Sequence, residues 1–157
     1  MTEKDVILRP LLLAFALIGL AVPERSGAEA DLVPVYSARE GVAIGGYDAV
    51  AFFERGEARP GRRLHAVMWK GVVWRFSSAR NQALFEANPR AYAPAFGGYC
   101  AYSLSQGHLR RGDPQVWSIV GGELYLLNNP AAASRWRGNT APLIAEAAAY
   151  WPAILRK

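Results

Sequence analysis

The chain carries a single cysteine, Cys100, and two histidines, His65 and His108. A thiolate with one or two imidazoles, and with the thioether of Met68, is a soft donor set that suits Cu(I) and, less completely, Zn. The same thiol with His65 or His108 as base, oriented by Asp48 or Asp113, would make a nucleophilic couple, although no local signature accompanies it. Cys100 can equally be a small buried apolar group, the commonest fate of a free cysteine. Two phenols flank it, so Tyr99, Cys100 and Tyr102 could also shape a small-molecule or protein pocket that takes no metal.

Other chemistries lack their residues. There is no G-x-S-x-G, H-E-x-x-H, P-loop, C-x-x-C or G-x-G-x-x-G. No close pair of carboxylates offers a division into acid and base. The residues force no enzyme class.

The elements that must position these groups follow from patterning. Pro10 to Val22 carries no charge and follows a weakly basic opening with Lys4 and Arg9. It is short for a bilayer about 30 Å thick and fits the apolar region of a signal peptide. Ser26-Gly27-Ala28 and Ala28-Glu29-Ala30 offer small-x-small cleavage patterns, which makes residues 1–30 a signal peptide and residues 31–40 a linker. The alternative is a retained anchor. Cleavage leaves no stable membrane span, places the protein in an exported compartment such as the bacterial periplasm, and leaves a lone cysteine unable to form an internal disulfide. The net charge of +5 is spread over scattered arginines, which reads as a solvated basic surface and not as a nucleic-acid interface.

Residues 41–157 form one domain in this reading, with no internal repeat. Leu64–Trp69 and Val72–Phe76 flank Lys70-Gly71 and predict a hairpin that pairs Trp69 with Val72, Val67 with Trp74 and His65 with Phe76. That register places His65 on an apolar face and Met68 on the opposite one. Val116–Val120 and Glu123–Leu127 flank Gly121-Gly122 and predict a second hairpin, half-buried, pairing Trp117 with Leu126 and Ile119 with Leu124. Ser77 or Ser78 can cap a helix over Ala79–Asn88 whose packing stripe is Leu84, Ala87 and Ala91. Asp113-Pro114 has the look of a cap and first turn, and Tyr47–Phe53 is ambiguous between strand and helical turn. Asn129-Pro130 opens a helix through Arg137, and Thr140-Ala141-Pro142 opens another that presents Leu143, Ala147 and Trp151, with Ile144 and Ala148 beside them. The expected fold is α+β, a small antiparallel sheet of two β-hairpins packed against several short helices.

Four segments carry a family resemblance: Gly41–Phe53 (GVAIGGYDAVAFF), Trp69–Asn81 (WKGVVWRFSSARN), Asn88–Ala101 (NPRAYAPAFGGYCA) and Asp113–Leu126 (DPQVWSIVGGELYL). Together they resemble the YHS domain family, specifically its exported long-form members, whose C-terminal extension the tail with Trp136 and Trp151-Pro152 also resembles. Shorter YHS domains, appended to copper-transporting ATPases and related to the TRASH metal-binding group, imply metal handling through cysteines. Where those domains carry cysteines this chain has Ala51, Ser77 and Asn81, while His65 falls where short members often have histidine. The expectation is an exported binding module: its metal, copper before zinc, would be anchored by Cys100 with His65 or His108 as second donor. The alternative is a metal-free structural or interaction domain around Tyr99, Cys100 and Tyr102. A thiol enzyme stands third.

Overall fold

A computed structural model describes residues 35–156. The signal-peptide reading of residues 1–30 lies outside the described residues. The stretch read as a linker contributes structure: β1 (Ala38–Arg39) turns through Glu40-Gly41 onto β2 (Val42–Ala43). A tight turn over Ile44–Gly46 leads into α1 (Ala49–Arg55). This segment is a helix because Asp48, in extended conformation, accepts the backbone N–H groups of Val50 and Ala51, and Gly56 ends it in the left-handed region.

The first long hairpin is β3 (Arg62–Trp69) and β4 (Val72–Phe76). Lys70 and Gly71 both have positive φ, the type I′ geometry that matches strand twist. Trp69 opposes Val72 and Val67 opposes Trp74 as expected, but Phe76 faces Arg62 and not His65. The register shifts between Arg62 and Ala66, so Arg63, Leu64 and His65 fall in a bulge. Next come α2 (Ala79–Ala87), capped by Ser78, and α3 (Pro89–Tyr92). The packing stripe of α2 is Asn81 and Phe85; Leu84 is half-buried, and Ala87 and Ala91 are exposed. Pro89 ends the helix early, so Ala91 belongs to another element.

A second tight turn over Ala95–Gly98 opens α4 (Ala101–Ser105). The hairpin β5 (Asp113–Val120) and β6 (Glu123–Leu127) follows, with Trp117 opposite Leu126, Ser118 opposite Tyr125 and Ile119 opposite Leu124, the expected register. Asp113-Pro114 starts no helix: Asp113 Oδ1 accepts the Gln115 N–H at 2.8 Å within the strand's own bulge. The chain finishes with α5 (Pro130–Gly138), capped by Asn129, then α6 (Thr140–Tyr150) and a short turn over Ala153–Arg156. Leu143 and Ala147 are buried on α6 as expected, whereas Ala148 is exposed.

The architecture is α+β. The two hairpins lie in separate sheets, a four-stranded one ordered β1-β2-β4-β3 and the two-stranded β5-β6. The larger sheet is mixed, because β2 runs parallel to β4 with Val42 beside Val73. Among the described residues no helix is long and apolar enough to cross a membrane.

Contrary to the sequence reading, the chain contains an internal repeat. Ile44-Gly45-Gly46-Tyr47-Asp48-Ala49 and Phe96-Gly97-Gly98-Tyr99-Cys100-Ala101 share one backbone path: Gly45 and Gly97 both have φ 62° and ψ 16°, and Ile44 and Phe96 both have positive φ. The hydrogen bonds repeat as well. The Asp48 N–H donates to the Arg59 carbonyl at 2.8 Å and the Cys100 N–H to the Arg110 carbonyl at 2.8 Å; the Gly61 N–H reaches Gly46 and the Gly112 N–H reaches Gly98. Gly61 and Gly112 each press on the next strand so closely that a Cβ would lie 2.4 Å from Arg75 or Leu126. The two hairpins, their bulges and the capped helices then follow at one constant spacing, with Trp74 matched by Tyr125, Phe76 by Leu127, Ser78 by Asn129 and Phe85 by Trp136.

The copies are stacked, not side by side. On β4 burial alternates, with Val72, Trp74 and Phe76 buried and Val73 and Arg75 half-buried, but on β6 all of Leu124 to Leu127 are buried. Tyr125 and Leu127 face their own helices. Leu124 and Leu126 turn the other way and join Ile44, Val50 and Phe52 of the first copy in the main core. The half-buried expectation for the second hairpin therefore holds for neither face of β6.

Candidate functional site

Asp48 is the most heavily engaged polar side chain among the described residues. It is fully buried, and its Oδ1 caps α1 through the N–H groups of Val50 at 2.9 Å and Ala51 at 3.3 Å. Its Oδ2 accepts from the Ser77 N–H at 2.7 Å, the Ser77 hydroxyl at 2.6 Å and the Asn81 amide at 2.7 Å. Five donors satisfy both carboxylate oxygens, which is how a buried charge is kept without a cation. Ser77 and Asn81 are the positions where the resemblance places thiolates; here they converge as hydrogen-bond donors to a carboxylate. With its lone pairs occupied, Asp48 is not free to orient an imidazole. The sequence signal was present in the Asp48, Ser77 and Asn81 positions, but reading them as missing metal ligands hid their mutual contact.

Cys100 occupies the same place in the second copy. It is fully buried and caps α4, its Sγ accepting the Ser103 N–H at 3.4 Å and donating to Asn128 Oδ1 at 3.4 Å. Asn128 matches Ser77, so the pairing of Cys100 with Asn128 repeats that of Asp48 with Ser77 in softer chemistry. The remaining wall is apolar: Ala101, Tyr125, Leu127, Ala132, Ala133, Trp136 and Leu143 complete this cluster. Trp136 Nε1 is buried without a partner, at the position that phenylalanine fills in the first copy.

The other expected site residues are dispersed. His65 is half-buried in the bulge of β3, in the first copy. His108 is exposed in the loop after α4, where its backbone N–H donates to the Ser103 carbonyl at 2.9 Å. Met68 is exposed on β3. Asp113 is used in its Asx turn. Among the described residues no three of His, Cys, Asp and Glu gather as a metal site would require.

Of the residues expected to shape a pocket, Tyr99 and Cys100 are buried and Tyr102 is half-buried. Tyr99 is buried with Leu104, Ala147, Ile154 and Leu155 and stacks near Trp151 at 6.0 Å between ring centroids. Tyr102 is half-buried under the Arg135 guanidinium, which lies 5.8 Å from its ring centre and reaches its hydroxyl at 3.4 Å. Surface hollows of about 460 and 490 Å³ lie elsewhere; Tyr36, Arg90 and the Gly121-Gly122-Glu123 turn line the first, and Ser105, Glu146 and Tyr150 the second. Burial raises the ionisation of Tyr36 above the ordinary phenol value of 10.0, with Arg90 opposing the shift.

No family model, no characterised protein and no solved structure matches this chain.

Proposed function

We propose that the chain is a non-catalytic interaction domain of the exported YHS-like kind in which Cys100 is a structural thiol. The observation that carries this reading is the equivalence of Cys100 with Asp48: the sulfur caps a helix and pairs with Asn128 where the carboxylate caps a helix and pairs with Ser77. A side chain used this way has its hydrogen-bonding directions spent inside the fold. The resemblance to exported long-form YHS domains supports the same reading, since its segments carry both tight turns, both capping residues Asp48 and Cys100, and the turns of both hairpins.

Metal content decides between this and the copper or zinc reading. The protein is purified from the exported fraction without chelator, and its copper and zinc are measured for wild type, Cys100→Ser and Cys100→Ala. The expected result is metal well below stoichiometric and equal in all three. Near-stoichiometric copper or zinc that Cys100→Ala abolishes, with the fold intact, would overturn the proposal. N-terminal sequencing of the same material tests export and cleavage after residue 28 or 30.

A further inference from the structure

In stacked repeats each unit covers a face of its neighbour, and the terminal faces need caps. Here the turn-helix of the first copy is covered by the second hairpin: Phe52 meets Trp117 at 5.2 Å between ring centroids, and the Gln115 amide donates to the Tyr47 hydroxyl at 2.6 Å. The turn-helix of the second copy is covered by the chain's own end, where Trp151, Ile154 and Leu155 pack on Tyr99 and Leu104. One face of the repeat has no cover among the described residues. It is the outer side of the first hairpin, the counterpart of the surface that buries Leu124 and Leu126 completely in the second.

That outer side is apolar where a neighbour would sit, with Arg75 on it opposite Ala66, Arg63 in the bulge and Lys70 in the turn beside it. Leu64 is 83% exposed and Met68 67% exposed, the two most exposed of the large apolar side chains, with Ala66 and Val73 half-buried beside them. From Ala58 to Phe85 the chain holds Arg59, Arg62, Arg63, Lys70, Arg75 and Arg80 and no Asp or Glu. Arg59 is paired with Glu57 at 3.6 Å. A second copy would bring the same cations against these, which like-charge repulsion disfavours.

We propose that the outer face of β3 and β4 docks a short amphipathic helix of a partner protein, apolar on one side and acidic on its flanks. The occupant of the equivalent face inside the molecule is itself a turn and helix, Ile44 to Phe52. The fitting partner is therefore helical, with bulky apolar residues at helical spacing. Glutamates on its flanks meet Arg75, which stands on this face opposite Ala66, and Arg63 and Lys70 at its edges. This rests on the interaction-domain reading and names its partner class.

Only Met1 and Met68 carry thioether methyls, so methyl-labelled methionine reports this face directly. The full chain is titrated with a synthetic helical peptide of leucine and phenylalanine on one side and glutamate on the other, and with a matched peptide bearing lysine for glutamate. The expected result is a saturable shift of the Met68 methyl with the acidic peptide and at least tenfold weaker binding of the basic one. Leu64→Asp with Met68→Asp should weaken the acidic peptide at least tenfold by anisotropy; both positions are exposed, and circular dichroism checks that the fold persists. An unmoved Met68 methyl, equal binding of the two peptides, or binding indifferent to the double substitution would overturn the proposal. So would a concentration-dependent dimer abolished by that substitution, which would assign the face to a second copy. None of these outcomes alters metal content, so failure here is distinguishable from failure of the structural-thiol reading.

Discussion

Cys100 stands in the second repeat where Asp48 stands in the first. Each begins a helix, each receives a backbone N–H from that helix, and the N–H of each donates at 2.8 Å to a carbonyl at the matching position, Arg59 or Arg110. The difference lies in what the side chain meets. Ser77 and Asn81 give Asp48 three donors, whereas Asn128 offers Cys100 one acceptor and Ala132 stands where Asn81 does. A carboxylate in the one and a thiol in the other follow from those partners.

Asp48→Asn should destabilise the domain by about 3 kcal/mol at neutral pH, because the new amide sets N–H groups against buried donors that cannot find other partners. Chemical denaturation measures it. A loss under about 1 kcal/mol would mean that the network holds little of the fold together.

Cys100→Ala should cost about 1–2 kcal/mol through the lost cap and the small cavity, with Cys100→Ser closer to wild type. In the native protein the thiol should resist alkylation and become reactive only as the chain unfolds, since it is fully buried. Rapid native labelling would contradict that.

Trp136→Phe should fall within about 1 kcal/mol of wild type, because losing ring area is offset by removing an indole N–H that has no partner. Trp136→Ala should cost about 3–5 kcal/mol. Comparable losses from the two substitutions would show that the indole nitrogen is satisfied in solution.

Gly97→Ala should be among the most damaging single-atom additions. The glycine has φ +62°, and its Cβ would lie 1.8 Å from the Val35 carbonyl oxygen, so the segment that donates the Ser37 N–H to Gly97 must move away. Gly56→Ala has positive φ but open space around it and should cost only about 1 kcal/mol. Equal thermal shifts for the two would remove the steric argument.

Tyr36, Tyr99 and Tyr125 all ionise above the ordinary phenol value of 10.0, chiefly through burial; Glu123 adds to the shift of Tyr125, and Arg111 opposes that of Tyr99. Below the unfolded-state value these phenols are neutral in both states and contribute no pH dependence. Above it the unfolded chain releases their protons first, so stability should fall from about pH 10 upward, as the pH passes through the unfolded and then the native values. Denaturation midpoints at stepped alkaline pH, alongside tyrosinate absorbance, would show a flat profile up to that point; a decline beginning near neutrality would point to other groups.

Local chemistry made much of the fold legible. Lys70-Gly71 and Gly121-Gly122 announce their turns because only a few residues tolerate positive φ there, and Asn129 and the Ser77-Ser78 pair, of which Ser78 is the cap, announce helices because their side chains replace missing partners for backbone N–H groups. The repeat stayed hidden because it conserves backbone path while exchanging side chains: Asp48 for Cys100, Arg75 for Leu126, Phe85 for Trp136. Arg75 and Leu126 differ because one borders the open face and the other lies between the copies, a long-range fact that no local pattern encodes. The bulge that displaces His65 from Phe76 was equally out of reach, since alternation in β3 looks unbroken when read one residue at a time. Cys100 was legible as unusual, but its partner Asn128 is remote in sequence and carries no signature of its own.

The burial of Leu124 and Leu126 against Ile44 and Phe52 also bears on how the chain comes apart. Severing the connection between the copies would leave two fragments, each presenting to water a surface that had been dry. Neither fragment is built to be viable on its own, so loss of structure should pass through the whole body as one event, with hydrogen exchange in α1 and β6 slowing and quickening together.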